Sequence, residues 1–208
     1  MDNAAALRAV TAELEDLAGE LPLTEAAKDI VPGEGSPIAE ILFIGEAPGY
    51  HESIERRPFV GRSGKLLRQV ISEIDLEKGQ YYISNIVKAR PPENRDPEPE
   101  EILAYRPFLN KEIEILAPKL VVTLGRFSMA KFLLDVKISQ VHGRLHQVDW
   151  LGKRLFVLPM YHPAAALRST KMKEAFIKDM QKIPKVLSWI KEQENVETLA
   201  ESVKSLLF

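Results

Sequence analysis

Three side chains suited to acid–base or hydrogen-bonding chemistry follow apolar runs of the sequence. Glu46 comes directly after "ILFIG", Asn85 ends "YYISN", and His162 follows "VLPMY". A carboxylate can accept a proton from water, a carboxamide both donates and accepts hydrogen bonds, and an imidazole can donate to developing negative charge. Asn85 at a strand end and His162 before a proline also have plain structural explanations. Glu46 is harder to explain in that way, because a carboxylate in a glycine-rich turn is costly to bury without polar partners.

The loops around these residues carry an aromatic ring and a basic rim. Phe59 lies in "RRPFVGRSG", a loop without periodicity, so it either stacks on a planar ligand or fills the core. Ser63 and Gly64 open a predicted helix whose backbone N–H groups could bind a phosphate. Basic residues recur in and beside the same loops: Arg62, Lys65, Lys88, Arg90, Arg95, Arg168 and Lys171. Such a rim on a chain of net charge -2 suggests a polyanionic ligand, although each residue singly could be ordinary solvated charge.

The elements that must position these residues are four short apolar segments, at 39–45, 81–87, 119–125 and 154–160. Continuous apolar runs of this length are typical of strands covered on both faces, as in a parallel sheet. Segments with helical spacing of apolar residues separate the first three, and this alternation predicts a three-layer α/β domain. Because ligands bind beyond the carboxyl ends of such strands, the three side chains above should meet at one edge.

Further helices are predicted around these strands. Apolar residues spaced by three and four predict an N-terminal packing helix over about 4–20. Asp96 should cap the helix that precedes the third strand. Residues 127–134 have the pattern of a short helix, and a hairpin or irregular segment should lead into the fourth strand. Pro184 should interrupt the C-terminal helical region, leaving an amphipathic tail over about 185–208.

Composition limits the classes of protein to consider. The chain has 208 residues with 45% hydrophobic content, so it can bury a core as one domain over 1–208. It contains no cysteine, which excludes disulfides, thiolate catalysis and cysteine-ligated metals, and we expect neither metal nor cofactor. Without a signal peptide or a membrane-length apolar run, a cytoplasmic monomer that does not contact membranes is expected. A pI near 6.1 gives no global attraction to nucleic acid, so such binding would need a local basic patch.

Four motifs, in order along the chain, carry a family resemblance. They are "GEAPG" with "PFVGRSGKLL", then "YISNIVKARPPENRDPEPEEI", then "VVTLGRFS", and finally "LPMYHPAAALR". From about residue 21 to about residue 168 the chain resembles the uracil-DNA glycosylase superfamily, most closely its family 4. The resemblance implies an α/β fold, a three-layer α/β/α sandwich around a central four-stranded parallel sheet. It also implies a monofunctional DNA repair enzyme that flips uracil out of DNA and hydrolyses its N-glycosidic bond, leaving an abasic site.

The resemblance also assigns roles in the base pocket. Glu46 would position or activate the attacking water and help to stabilise the positive sugar, and His162 would donate a hydrogen bond to uracil O2. Asn85 would bind the O4 and N3–H edge of uracil, whose donor and acceptor pattern is opposite in cytosine. Phe59 would stack on the flipped base, and Ala47 would belong to the same substrate-binding set.

Contacts to uracil-containing DNA are expected around the pocket. The segment 164–168 resembles the loop that enters the duplex and fills the vacated stack, with Leu167 as the apolar wedge. The basic rim and the start of the predicted helix would contact phosphates. The predicted DNA-binding set is Arg62, Ser63, Lys88, Arg90, Leu167 and Arg168.

The chain departs from the family pattern where family 4 members usually carry four cysteines that hold a four-iron, four-sulfur cluster. The corresponding positions are Ala18, Leu21, Ala89 and Tyr105. A cluster cannot form there without thiolates, and side-chain packing is expected to fill its place. Arg56 stands where the family often has a glycine before "RPF". Gly49 stands where some other glycosylase families have a tyrosine that blocks the methyl group of thymine.

Two functions from different classes follow. The first is a uracil-DNA glycosylase that works without an iron–sulfur cluster. The second is a catalytically weak or inactive glycosylase-like domain that only binds DNA or a protein partner. Retention of Glu46, Asn85 and His162 favours the first, because a binding module has no need of a water-activating carboxylate. A nucleotide-binding α/β enzyme is disfavoured, since the chain has neither a GxGxxG nor a GxxxxGK[ST] loop.

Overall fold

A mixed sheet forms the centre of the computed structural model, which describes the backbone of residues 2–207 and the side chains of residues 2–198. Within that range the strands are β1 (Glu34–Gly35), β2 (Ile41–Gly45), β3 (Tyr81–Asn85), β4 (Leu120–Leu124), β5 (His146–Trp150) and β6 (Lys153–Met160). Their order in the sheet is β1-β3-β2-β4-β6-β5. The central β3, β2, β4 and β6 are parallel, and β1 and β5 are antiparallel edge strands. The predicted four-stranded parallel sheet is confirmed, with one further strand at each edge.

The register of the sheet brings the carboxyl ends of the four parallel strands to one edge. Gly45 of β2 pairs with Asn85 of β3, and Leu124 of β4 pairs with Met160 of β6. Strands β2 and β4 are buried along their whole length and β6 along most of it, because helices cover both of their faces. The residues that follow these strands therefore lie side by side at the carboxyl edge.

Helices cover both faces of the sheet. Within the described residues they are α1 (Asn3–Asp16), α2 (Tyr50–Glu55), α3 (Arg62–Glu73), α4 (Pro99–Leu116), α5 (Arg126–Ala130), α6 (Ile138–Val141), α7 (Pro163–Ala166), α8 (Thr170–Met180) and α9 (Ile183–Leu207). One apolar cluster joins the sheet to α3, α8 and α9 and includes Leu67, Phe176 and Ile190. A second joins the sheet to α1 and α4 and includes Leu14 and Leu109. Two clusters on opposite faces confirm the three-layer α/β/α sandwich.

The start of α4 differs from the prediction. Its N-cap is Glu98, whose backbone N–H donates to the Glu101 carboxylate at 2.7 Å in a capping box. Pro99 takes the first helical position, where its missing N–H costs nothing. Asp96 lies outside the helix and pairs with Arg126, so its assignment as the cap was wrong. Asp96 and Arg126 both reach the carboxyl edge of the sheet, where they line a cavity.

Two other helices end earlier than predicted. The helix expected over about 4–20 ends at Asp16, and the chain then turns at Gly19, whose φ of +98° is incompatible with a continuing helix. The helix expected over 127–134 ends at Ala130. The hairpin before the fourth parallel strand is confirmed as the antiparallel pair of β5 and β6.

The C-terminal helical region is interrupted next to Pro184, as predicted: α8 ends at Met180 and α9 begins at Ile183. Pro184 lies in the first turn of α9, where proline is tolerated because its missing N–H would have no partner within the helix. The helical prediction over about 185–208 agrees with α9 as far as residue 207. The amphipathic face expected at its end falls on side chains of residues 199–208, which lie outside the described part. Among the helices that are described, none is long and apolar enough to cross a membrane.

Candidate functional site

A cavity of about 860 Å³ opens at the carboxyl edge of the sheet. Its size and place are typical of a small-molecule site in an open α/β fold. Of the predicted site residues, those that line it are Glu46, Ala47, Phe59, Arg62, Ser63, Asn85, His162, Leu167 and Arg168. The order of the strands explains this convergence, because each of the four parallel strands ends at the same edge.

Glu46 is the first residue after β2 and is partly buried in the cavity. Burial raises the pKa of Glu46 to about 7, and the negative charge of Asp96 acts in the same direction, while Arg126 opposes both. A carboxyl group with a pKa near neutrality is partly ionised at pH 7 and is a much stronger base than an ordinary glutamate. Glu46 is therefore suited to remove a proton from a water molecule.

His162 begins α7 as its N-cap residue. Its Nδ1 accepts a hydrogen bond from the backbone N–H of Ala164 at 3.1 Å, so in the neutral ring the proton is on Nε2. Burial lowers the pKa of His162 to about 4, and the positive charge of Arg168 adds to this effect. The ring is consequently neutral at physiological pH, and its single donor is Nε2–H because Nδ1 accepts the capping hydrogen bond.

Asn85 ends β3 and is almost fully enclosed, with 3% of its surface exposed. Its side-chain oxygen Oδ1 is buried and has no hydrogen-bond partner among the described residues. An unpaired buried acceptor is costly, so this oxygen is available to accept a hydrogen bond from a molecule that enters the cavity. Gly45 makes this placement possible, because a Cβ there would lie 2.3 Å from Asn85 Oδ1 and 2.5 Å from the Phe59 ring.

Phe59 brings a flat apolar surface to the same cavity. Its ring lies 5.9 Å from the His162 ring, measured between centroids, and the two planes are tilted by 33°. The backbone of Phe59 has a φ of +54°, a left-handed conformation that is uncommon for residues other than glycine. Gly64 permits α3 to start directly beneath it, since a Cβ at that position would lie 2.0 Å from the Phe59 carbonyl carbon.

Basic and polar residues surround the mouth of the cavity. Arg62 and Ser63 form the first turn of α3, whose N-cap, Gly61, has no side chain to occupy the N–H groups there. Leu167 and Arg168 follow α7, and the leucine side chain is exposed beside the opening. The mouth therefore combines basic side chains and free N–H groups with exposed apolar side chains, among them Leu167 and Met172.

Arg90 lies beside this mouth rather than in the cavity. Its guanidinium carbon is 5.1 Å from the centroid of the Tyr50 ring, and its Nε donates to Asn94 Oδ1 at 2.8 Å. Tyr50 and Asn94 both line the cavity. Arg90 thus contacts two residues that line the cavity, and its role in binding DNA stays a prediction.

Lys88 does not lie on the surface, so its prediction as a DNA contact was wrong. The side chain is fully buried, with Nζ 2.6 Å from Glu112 Oε2 and also bonded to Ser84 Oγ. The Ser84 hydroxyl donates to the same carboxylate at 2.7 Å. A buried charge requires such partners, and here β3 and α4 supply them, away from the residues that line the cavity.

Several residues that line the cavity were absent from the sequence-based prediction of the site, among them Glu52, Asp96, Arg126 and Tyr161. Tyr161 adjoins His162 in the chain, so its position carried a usable signal. Asp96 lies in the polar loop after β3 but was assigned to a helix cap. Glu52 and Arg126 belong to short helices, where a charged residue ordinarily indicates a solvated face.

Comparison with known proteins agrees with this geometry. A family model described as the uracil DNA glycosylase superfamily matches residues 32–183, which is most of the chain. The chain belongs to this superfamily. It is 48% identical over 160 residues to a type-4 uracil-DNA glycosylase of Sulfurisphaera tokodaii, covering 74% of this chain and 72% of that protein. It is 45% identical over 167 residues to the type-4 enzyme of Saccharolobus solfataricus, covering 77% of each. The resemblance of the four motifs to this superfamily is confirmed.

An iron–sulfur cluster does not fit this member of the superfamily. The four positions that correspond to the cysteines of family 4, namely Ala18, Leu21, Ala89 and Tyr105, lie in or pack against the apolar cluster between the sheet, α1 and α4. None of them offers a thiolate, and the chain has no cysteine elsewhere. Tyr105 is fully buried, its hydroxyl donates to the Pro22 carbonyl at 2.6 Å, and burial raises its pKa. Packing and one hydrogen bond occupy this region.

Proposed function

We propose that the chain is a monofunctional uracil-DNA glycosylase that works without an iron–sulfur cluster. It would hydrolyse the bond between C1′ of deoxyribose and N1 of uracil, releasing uracil and leaving an abasic site in DNA. The observation that carries this proposal is the buried, unpartnered Oδ1 of Asn85 in the same cavity as Phe59, His162 and Glu46. Membership of the superfamily and the names of the type-4 relatives support it.

Base selection follows from the groups that enclose the cavity. A base flipped out of the stack would lie on the Phe59 ring, where stacking is insensitive to its identity. The Asn85 carboxamide would then test it, because Oδ1 accepts from uracil N3–H while Nδ2 donates to O4. Cytosine presents the opposite pattern at these two positions and would leave buried groups unpaired. The small side chain of Ala47 leaves room for the ring.

Bond cleavage requires the leaving base and the developing positive sugar to be stabilised together. As the C1′–N1 bond breaks, its electron pair moves into uracil, and the Nε2–H of His162 donates to O2 of the resulting anion. A water oxygen bonds to C1′, and its proton passes to the Glu46 carboxylate. The negative charge of Glu46 also stabilises the cation-like sugar before the water attacks. A neutral His162 and an ionisable Glu46 match the pKa directions found in the cavity.

DNA would bind with the uracil-containing strand facing the mouth of the cavity. The first turn of α3, together with Arg62, Ser63, Arg90 and Arg168, would bind phosphates on either side of the flipped nucleotide. Leu167 would enter the stack in place of the extruded base. Unstacking that base costs free energy, and the contacts that the base makes in the cavity offset this cost. The exposed position of Leu167 beside the opening supports this assignment.

The test is a single-turnover assay on an end-labelled oligonucleotide with one uracil, followed by alkaline cleavage at abasic sites. We expect strand cleavage only where uracil stood. Glu46→Ala and His162→Ala should each lower the rate at least about tenfold with little change in melting temperature. Arg154→Gln breaks an exposed ion pair with Glu197 outside the cavity and is the control with unchanged rate. Purified protein should be colourless and free of stoichiometric iron.

Two results would count against the proposal. A wild-type protein that binds uracil-containing DNA and never cleaves it would favour the binding-domain alternative. Unchanged rates in both Glu46→Ala and His162→Ala would place the reacting groups elsewhere on the chain.

A further inference from the structure

The loop that carries Phe59 is held in a strained shape. This stacking loop, residues 58–61, connects α2 to α3 and places Phe59 at a φ of +54°. A residue with a Cβ pays on the order of 1 kcal/mol or more for that conformation, so neighbouring groups must impose it.

Two charged side chains bind the stacking loop from opposite sides. The Glu52 carboxylate accepts from the backbone N–H of Val60 at 2.9 Å and from that of Gly61 at 2.7 Å. Arg68 donates from Nε to the Phe59 carbonyl at 2.9 Å and from its terminal nitrogen to the Pro58 carbonyl at 2.8 Å. Hydrogen bonds from ionised groups are stronger than neutral ones. The peptide group before Phe59 is thereby held at its carbonyl, and the peptide group after Phe59 is held at both its carbonyl and its N–H.

Arg68 is itself anchored outside the cavity. It extends from α3, and its terminal nitrogen is also 3.1 Å from Glu34 Oε2 on β1. Glu52 lines the cavity and could touch a bound base directly, whereas Arg68 is not among the described residues that line it. The two carbonyls of the loop are the contacts through which Arg68 can influence the cavity. This difference makes Arg68 the informative residue of the two.

We propose that Arg68 is a positioning residue for the reaction: it holds Phe59 in the geometry that stacks on the flipped base, with Glu52 fixing the other side of the loop. The inference rests on the proposed function, since it assigns to Phe59 the role of stacking platform. Arg68 acts through the Phe59 ring and therefore contributes little to excision when that ring is absent.

The first measurement compares two arginines that share one partner. Arg68→Met removes the bonds to the loop carbonyls and to Glu34, and we expect kcat/KM for a single-stranded uracil oligonucleotide to fall about tenfold. Arg57 also pairs with Glu34, at 2.8 Å, but within residues 2–198 it bonds neither loop carbonyl. Arg57→Met is thus the matched control and should stay within about twofold of wild type. Arg68→Lys keeps the positive charge but has a single donor nitrogen in place of the guanidinium fork, so its kcat/KM should lie between those of the two variants.

The second measurement is a double-mutant cycle with Phe59→Ala. In that background Arg68→Met should change kcat/KM by less than about twofold, because the ring through which it acts is gone. A merely structural arginine would cost the same factor in both backgrounds, and that result would overturn the inference. Full activity of Arg68→Met alone would do so as well. Melting temperatures accompany each variant, and if Arg68→Met does not fold, Arg68→Lys replaces it in the same cycle. An inactive wild-type protein would instead reject the proposed function.

Discussion

The pH dependence of uracil excision tests the role of Glu46 directly. Its pKa is raised from an ordinary 4.5 to about 7, mainly by burial. If the ionised carboxylate is the base, kcat/KM falls about tenfold per pH unit below that pKa. At about pH 5 only about 1% of Glu46 would be ionised, against roughly three quarters of a glutamate with the ordinary pKa. Excision at about pH 5 should then be roughly a hundredfold slower than on the alkaline plateau.

Two exposed residues near Glu46 should shift the acidic limb of the pH–rate profile, where the rate falls with decreasing pH, in opposite directions. Asp96 raises the pKa of Glu46 and Arg126 lowers it, although the two are paired with each other at the mouth of the cavity. Asp96→Asn removes the negative charge and leaves Arg126 unneutralised, so the limb should shift to lower pH. Arg126→Gln removes the positive charge, so the limb should shift to higher pH. Because the pair is exposed, neither change should alter folding stability by more than about 1 kcal/mol.

The assay is a single-turnover pH profile between about pH 5 and 9 at low ionic strength, where surface charges are least screened. His162 does not add a limb in this range, since its pKa is lowered to about 4 and the ring stays neutral. Glu46→Gln is the control, and its slow residual rate should be independent of pH. A flat wild-type profile, or a shift of the same sign in Asp96→Asn and Arg126→Gln, would refute the assignment of Glu46 as the base.

Three further predictions concern residues around the cavity and beneath the sheet. Asn85→Asp should lose most uracil excision, by about 2–3 kcal/mol of transition-state stabilisation, and its rates on matched uracil and cytosine oligonucleotides show whether this residue selects the base. Glu112→Gln should lower the free energy of unfolding in urea by about 3–5 kcal/mol because Lys88 keeps a buried charge, and the double variant Lys88→Met with Glu112→Leu should recover much of it. Tyr105→Phe should cost about 1–2 kcal/mol in the same measurement through loss of the bond to Pro22, with excision unchanged.

The parallel core of the fold could be predicted because its signal is local. Strands β2, β3 and β4 are short apolar runs, and their burial on both faces is the reason that they lack alternation. The edge strands gave a weaker signal: β1 was not predicted, and β5 was expected only as one of two alternatives, a hairpin or an irregular segment. β1 has two residues, Glu34 and Gly35, and β5 alternates only between half-buried and exposed positions. An edge strand is specified by the partner that it meets, which a local pattern does not contain.

The candidate site could be predicted for residues that directly follow strands. It could not be predicted for side chains whose positions depend on contacts with residues distant in the sequence. Glu46, Asn85 and His162 meet because the register of the sheet requires it. Lys88 follows β3 closely, yet its side chain points to Glu112, 24 positions further along the chain. The bracing of Phe59 by Arg68 is equally hidden, because an arginine within a helix ordinarily belongs to its solvated face.

The absence of cluster-binding cysteines need not disturb the cavity, because the chain positions its site by other means. Beyond Asn85 the pairing of β3 with β2 continues: the N–H of Ile86 donates to Gly45 and that of Val87 donates to Glu46, each at 3.1 Å. The Lys88 carbonyl then accepts from Val31 at 2.7 Å, which ties in the segment after α1. The two residues proposed to bind base and water are thus fixed to each other by backbone hydrogen bonds. None of these hydrogen bonds involves Ala18, Leu21, Ala89 or Tyr105, so the positions of Glu46 and Asn85 are set by backbone pairing outside the four substituted positions.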